Sequence, residues 1–218
     1  MVWFYTRKTY KNREATQMLT TKEAISRRRS IRKFKPEPIP NDHLTEIIEA
    51  ARLAPSGCNA QPWRFKIVTD NDLKEALAIA AFNQAFVAGA PAVIVCCVDI
   101  KGYLDGTVSG IQDLGKIGAI EGPVIQVLEK RAARSQAMPM DQLGPIVAFN
   151  VAIAIEHMVL RALDFGLGTC WIRLLEGPAV NELFGWDENL YTVALLPIGY
   201  PAEDPGPRKR IPLKDLLL

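Results

Sequence analysis

The chain has 218 residues, 49% hydrophobic and 23% charged, which is ordinary for a globular protein and long enough to bury a sizeable core. That composition excludes wholesale disorder, collagen-like repeats and low-complexity architecture. The formal net charge of +2 hides an asymmetry, because residues 1–35 hold eleven Lys or Arg against Glu14 and Glu23 and the remainder is net acidic. The basic end is therefore expected to meet a polyanion or a phosphate group.

Segment 1–20 sets Trp3, Phe4, Tyr5 and Tyr10 among basic residues without a helical period, and reads as an arm able to pack on a partner subunit. It lacks the continuous apolar stretch of a secretory signal, so export is not expected. A first helix is expected from Thr21 to about Arg29, followed by an extended segment through Phe34 and the punctuation of Pro36, Pro38 and Pro40. A second begins at Asn41 or Asp42 as cap, with Leu44, Ile47, Ile48 and Ala51 at helical spacing, and stops before Pro55.

Residues 63–68 read as a strand, 72–80 as a helix and 92–98 as a buried strand. Residues 101–140, with Gly102, Gly106, Gly110, Gly115, Gly118 and Gly122 ahead of a charged helical stretch to Arg134, look like a mobile excursion instead of a core element. A long apolar helix is expected over 141–165. Its most membrane-like part, 143–155, is only thirteen residues long, against the roughly 20 that a span needs, and predicts a buried helix. A strand over 166–173, a short helix over 178–184, a strand over 191–198 and a Pro-rich basic tail complete an α+β pattern.

Most sites of familiar type fail on spacing. Gly110, Gly115 and Lys116 imitate a phosphate-binding loop, but Ile117 stands where Ser or Thr must reach magnesium. Gly166 and Gly168 lack the third glycine and following helix of a dinucleotide fingerprint. His43 and His157 have no HExxH partner, Ser56 has no GxSxG context, and Cys58 has no identifiable base. Cys58, Cys96, Cys97 and Cys170 form no CxxC pair. Cys96 and Cys97 would point to opposite faces of their strand, so reduced thiols in a cytoplasmic protein are expected.

Two clusters remain. Arg28, Arg29, Ser30 and Arg32 offer fixed cations and a hydroxyl, suited to a phosphate or a polyhydroxyl chain. Pro55, Ser56, Gly57, Asn59, Gln61, Pro62 and Trp63 offer a turn with amide side chains, which can both donate to and accept from the edge of a heterocycle. The plain alternative is a solvated helix end beside an ordinary loop.

The runs RRSIRKF at 28–34, APSGCNAQPWRF at 54–65, GLGTCWI at 166–172 and IGYP at 198–201, followed by Arg208, Lys209 and Arg210, resemble the FMN-dependent nitroreductase family in content and order. The resemblance covers residues 21–218 and implies an α+β fold with a mixed, mainly antiparallel sheet flanked by helices. It also implies an interlocked homodimer, with flavin mononucleotide (FMN) in two clefts built from both chains. Helix 141–165 would be the central dimer helix, and 101–140 would cover the substrate side of the flavin.

By the same resemblance, Arg28, Arg29 and Ser30 match positions at the FMN phosphate and ribityl chain, and Arg32 matches one near the flavin pyrimidine. Pro55, Ser56, Asn59 and Gln61 belong to the turn that meets the flavin, partly from the other subunit. Trp171, Ile172 and Arg173 match the strand end beside its reactive edge, and Arg208 and Arg210 a basic pair on the phosphate. Leu174, where many members have glycine, and the charge of Arg173 depart from the pattern.

The implied activity is electron transfer from NADH or NADPH to a small oxidised acceptor such as a nitroaromatic, quinone or activated alkene. Because a flavin carries such chemistry itself, the failure to find a catalytic dyad or triad is consistent with it. Reductive dehalogenation or a flavin-consuming reaction is the alternative within the family. A nucleic-acid-binding module using the basic end is the alternative outside it, disfavoured by the 55–62 loop and the cluster at 208–210.

Overall fold

The structure, a computed structural model, describes residues 18–217. The aromatic part of the basic arm lies outside the described residues. Met18 to Thr20 are inside them, and there the Leu19 N–H donates to Asp164 at 3.0 Å.

Helix α1 (Thr21–Arg27) opens on a capping box, in which Thr20 accepts from the Glu23 N–H while the Glu23 carboxylate accepts from Thr20. It ends two residues earlier than the sequence suggests. Arg28 leaves the helical region at ψ 130 so that the chain can run extended beside the sheet. Helix α2 (Asn41–Arg52) has Pro40 as its N-cap, and Asn41 and Asp42 lie inside its first turn without capping it.

Strands β1 (Trp63–Val68), β2 (Ala92–Asp99), β3 (Gly168–Thr169) and β4 (Leu190–Gly199) form one sheet in the order β1-β2-β4-β3, every adjacent pair antiparallel. The apolar run of β2 is covered on both sides. Ile94, Cys96 and Val98 join the core with α2 and the long helix α6 (Met140–Ala162), while Val93, Val95 and Cys97 join a second core with α3 (Asn71–Ala80) and α7 (Gly177–Phe184). Each fully buried side chain of that size contributes roughly 1.5–3 kcal/mol. The expected strand at 166–173 is shorter than its apolar sequence implies. Only Gly168 and Thr169 pair regularly, and Ile172 returns as a single bridge to Leu195.

Residues 101–140, expected as a mobile excursion with a charged helical stretch to Arg134, are helical over most of their length. The segment forms two helices, α4 (Ile100–Lys116) and α5 (Gly122–Gln136), and α4 buries Ile100, Thr107 and Ile111. Glycine costs about 1 kcal/mol in a helix, which is why the sequence argued against one. Here Gly106 and Gly110 are needed by packing, since a Cβ on Gly110 would stand 1.6 Å from the Cys58 carbonyl oxygen and one on Gly106 2.5 Å from that of Ala60.

The region Met140–Phe165, 26 residues, is long and apolar enough to cross a membrane. Its Leu143, Val147, Val151, Ile155 and Met158 are instead buried in the core. The opposite stripe is open in the single chain, with Ile146, Phe149 and Ile153 exposed by 49%, 57% and 36%.

Candidate functional site

The basic segment after α1 is held in place by its backbone. Ser30 bridges Thr169 in parallel, and the Ile31 N–H donates to the Thr169 carbonyl at 2.9 Å. Ile31 is buried, which turns its neighbours Ser30 and Arg32 the other way along the extended chain. The Arg32 and Lys33 N–H groups both donate to the Glu203 carboxylate, and Lys33 and Lys35 pair with Ala202 and Tyr200. Residues 30–35 are thus strapped between β3 and the chain leaving β4.

The guanidinium groups there are poorly compensated. Among the described residues, none of Arg28, Arg29, Arg32, Arg208 and Arg210 forms an ion pair with a carboxylate, and the same holds of Arg131, Arg134 and Arg173, whereas Arg27, Arg52, Arg64 and Arg161 are paired. Arg29 folds back on the carbonyls of Ser26 and Arg28, and Arg32 lies over the Phe86 ring at 5.8 Å. Glu156 of α6 faces Arg28. Burial raises the pKa of its carboxyl, opposed by the charges of Arg28 and His157. Arg208 and Arg210 are exposed, and Arg210 touches only backbone carbonyls of its neighbours.

The second cluster is a tight turn around Gly57–Asn59, in which Cys58, Asn59 and Gln61 have φ of 49°, 52° and 48°. Left-handed backbone costs about 1–2 kcal/mol per non-glycine residue, so the surroundings must impose it. The Ser56 hydroxyl accepts from the Gln61 N–H at 3.0 Å, and the Asn150 side chain of α6 accepts from the Gly57 N–H at 3.0 Å. Asn59 and Gln61 keep exposed side chains, while Pro55 stands exposed ahead of the turn.

Near the first cluster, Cys170 is held by its N–H to the Pro197 carbonyl, and Ile172 exchanges backbone bonds with Leu195. Trp171 has its indole N–H buried, with no hydrogen-bond partner among the described residues. Arg173 and Leu174 are exposed. The structure therefore brings 28–33, 169–174 and 200–203 to one edge, and 56–61 to the junction of α4 and α6. No hydrogen bond or ion pair among the described residues joins these two groups.

Two features escaped the sequence reading. One is Asn150, buried at 1% exposure on an apolar helix. The other is the loop after α3, where Phe82 and Asn83 both have φ of 57° and the Gln84 amide donates to the Leu174 carbonyl at 3.2 Å. The polar pair Asn83-Gln84 directly after a helical period was its one available signal. A groove of about 490 Å³ is lined by Arg64, Lys66, Cys97, Trp186 and Asn189 and by none of the expected site residues, although Arg64 reaches the Gln61 carbonyl at 3.5 Å.

Comparison with known proteins gives this geometry its context. The family model described as the nitroreductase family matches residues 25–200. A Thermus thermophilus protein named NADH dehydrogenase is 33% identical over 94% of this chain and 98% of its own. An Exiguobacterium sibiricum protein crystallised with FMN is 29% identical and superposes with a TM-score of 0.73 over 92% of this chain and 98% of its own. The NADPH:FMN oxidoreductase of Vibrio harveyi, solved in complex with NAD+, is 26% identical with a TM-score of 0.70, covering 91% of this chain and 76% of its own. With the family model spanning most of the chain and the fold shared, this chain belongs to the nitroreductase family.

Proposed function

We propose that the protein is an FMN-dependent oxidoreductase that passes electrons from NADH or NADPH to a small oxidised acceptor, and that it works as a homodimer. The observation that carries this reading is the set of guanidinium groups without carboxylate partners, beginning at the edge where Ser30 meets Thr169. A phosphate dianion is the ligand that such donors complement. Its fit is supported further by the buried indole N–H of Trp171, which lacks an acceptor among the described residues, and by the outward amides of Asn59 and Gln61.

In this reading Arg28, Arg29 and Ser30, with Arg208 and Arg210 from the tail, hold the phosphate and ribityl chain. Arg32 supplies a fixed cation beside the ring, and Trp171, Ile172 and Arg173 form the wall beside it. Bound FMN supplies the two-electron redox chemistry, which no side chain here can provide. Pro55 shapes the turn from which Ser56, Asn59 and Gln61 offer one hydroxyl and two amides to the ring's polar edge. The protein's own work is to bind, orient and exclude water.

The separation of the two clusters within one chain supports a site shared between copies. The apolar stripe Ile146, Phe149 and Ile153 on α6 offers a second copy its seat. The four cysteines are free, as suits a reducing compartment, and none is needed for turnover.

The test is spectroscopic. The purified protein is expected to carry or take up FMN, to bleach on anaerobic addition of NADH or NADPH, and to recover its absorption with a nitroaromatic, a quinone or an activated alkene. A halogenated aromatic in the same panel separates reductive dehalogenation. A protein that takes up no FMN, or FMN that neither nicotinamide reduces, would overturn the reading.

A further inference from the structure

The 57–61 turn is gripped from two sides, by α6 and by α4. On one side stands Asn150, buried within the otherwise apolar α6. Its orientation is fixed by its bonds, because Oδ1 must accept from the Gly57 N–H and Nδ2 must donate to the Val147 carbonyl, each at 3.0 Å. On the other side α4 lays its backbone against the turn at Gly106 and Gly110, where added Cβ atoms would collide with the carbonyls of Ala60 and Cys58.

Between these supports the chain keeps three non-glycine residues in the left-handed region, an arrangement that persists only where the surroundings over-determine it. The atoms nearest to Gly106 and Gly110 are those of the Ala60 and Cys58 backbone and the Cys58 Cβ, and Asn150 bonds the Gly57 N–H. The side chains of Asn59 and Gln61 remain exposed, and the Asn59 carboxamide forms no hydrogen bond within the described chain. A turn fixed at its backbone with its amides left facing outward is prepared to present them to something else.

We propose that Asn150, Gly106 and Gly110 are positioning residues that clamp the 57–61 turn in the conformation presenting Ser56, Asn59 and Gln61 to the flavin. Helices α4 and α5, the segment expected on the substrate side, are thereby joined to the cofactor through backbone contact. A shift of α4 moves the turn, and a change in the turn moves α4. This rests on the flavin reading of the turn given above.

The test uses the full-length protein and four variants, with FMN affinity, the visible flavin spectrum and thermal unfolding of the apo-protein as readouts. Asn150→Ala and Gly110→Ala are expected to weaken FMN binding at least tenfold and to shift the flavin bands. Asn150→Asp, which as the neutral acid favoured by burial still accepts from Gly57 and donates to Val147, is expected to recover most of the affinity at mildly acid pH. Gly122→Ala, on the same helix pair but with open space around it, is expected to match the parent.

A purely structural role would lower the unfolding temperature and leave the affinity and spectrum of the folded fraction unchanged, and that result overturns the clamp. Failure of Asn150→Asp to outperform Asn150→Ala overturns it as well. Should Gly110→Ala not fold, the Asn150 pair decides alone. A parent that takes up no FMN overturns the flavin reading and this proposal together, whereas a parent that binds FMN alongside an unaffected Asn150→Ala overturns the clamp only.

Discussion

Truncating Arg28 removes a half-buried guanidinium that has no carboxylate within ion-pairing distance among the described residues and interacts only at longer range with Glu156, which leaves its hydrogen-bonding fork open to a ligand. Arg28→Ala is expected to weaken FMN binding by roughly 2–5 kcal/mol, the cost of removing one partner of a desolvated charge pair. Arg210 is exposed in the single chain, and Arg210→Ala is expected to cost less, about 1.5–3 kcal/mol. Equilibrium dialysis of the two variants checks both; parent-like affinity in both would remove them from the phosphate.

The buried thiols provide a separate pH test. Burial pushes the Cys97 thiol from 9.0 up to about 11, with the Thr192 hydroxyl 3.7 Å away slightly opposing. A folded-state pKa raised above the unfolded value means that the folded protein holds the proton longer. The resulting stability is full below about pH 9 and is lost as pH rises toward about 11. Across that window the stability of the parent relative to Cys97→Ala is expected to fall by on the order of 2–3 kcal/mol, measured by urea unfolding at each pH. A constant difference from pH 8 to 11 would show that the thiol does not titrate with folding.

At the scale of elements, one carboxylate connects three parts of the chain. Asp99 caps α4 by accepting from the Gly102 N–H at 2.8 Å, accepts from the Asn189 amide at 3.0 Å before β4, and pairs with Arg64 of β1 at 2.6 Å. Asp99→Ala is expected to destabilise the fold by about 1–2 kcal/mol, with the lost cap near 1 and the remainder from the half-buried Asn189 amide left without its acceptor. The Arg64 side chain is half exposed, so its ion pair adds little. An Asp99→Ala change below about 0.5 kcal/mol in denaturant unfolding would refute this reading of the junction.

Elements built on periodicity or an unbroken apolar run were legible: β1 matches its sequence span, and α2, α3, α6, α7, β2 and β4 lie within a residue or two at most ends. Those fixed by tertiary contact were not. Nothing local marks residues 100–116 as a helix when glycine recurs every fourth or fifth position, because its reason is the backbone of a turn some fifty residues earlier in the chain. Likewise 170–173 has strand-like residues, yet after Cys170 it keeps only the bridge of Ile172 to Leu195.

At the scale of the molecule, motif order picked out the two clusters proposed to hold the cofactor, and it was the resemblance, not the residues themselves, that implied clefts built from both chains. Local spacing shows which groups suit a phosphate or a heterocycle and says nothing of which copy supplies them. Helix α6 bears on that question. Its inner face is the core of the chain, while Ile146, Phe149 and Ile153 recur at helical spacing on the outside, where water gains nothing from them.

Covering the roughly half of these side chains still open contributes on the order of 1 kcal/mol each, and a dimer whose site is shared should bind FMN only as a dimer. Phe149→Glu combined with Ile153→Lys places charge in the middle of the stripe without touching the inner core. The parent is expected to sediment as a dimer, and the double variant as a monomer that has lost FMN while keeping its helical circular dichroism. A stable monomer that still binds FMN with parent affinity would show instead that one chain completes the site, and that the stripe on α6 serves another purpose.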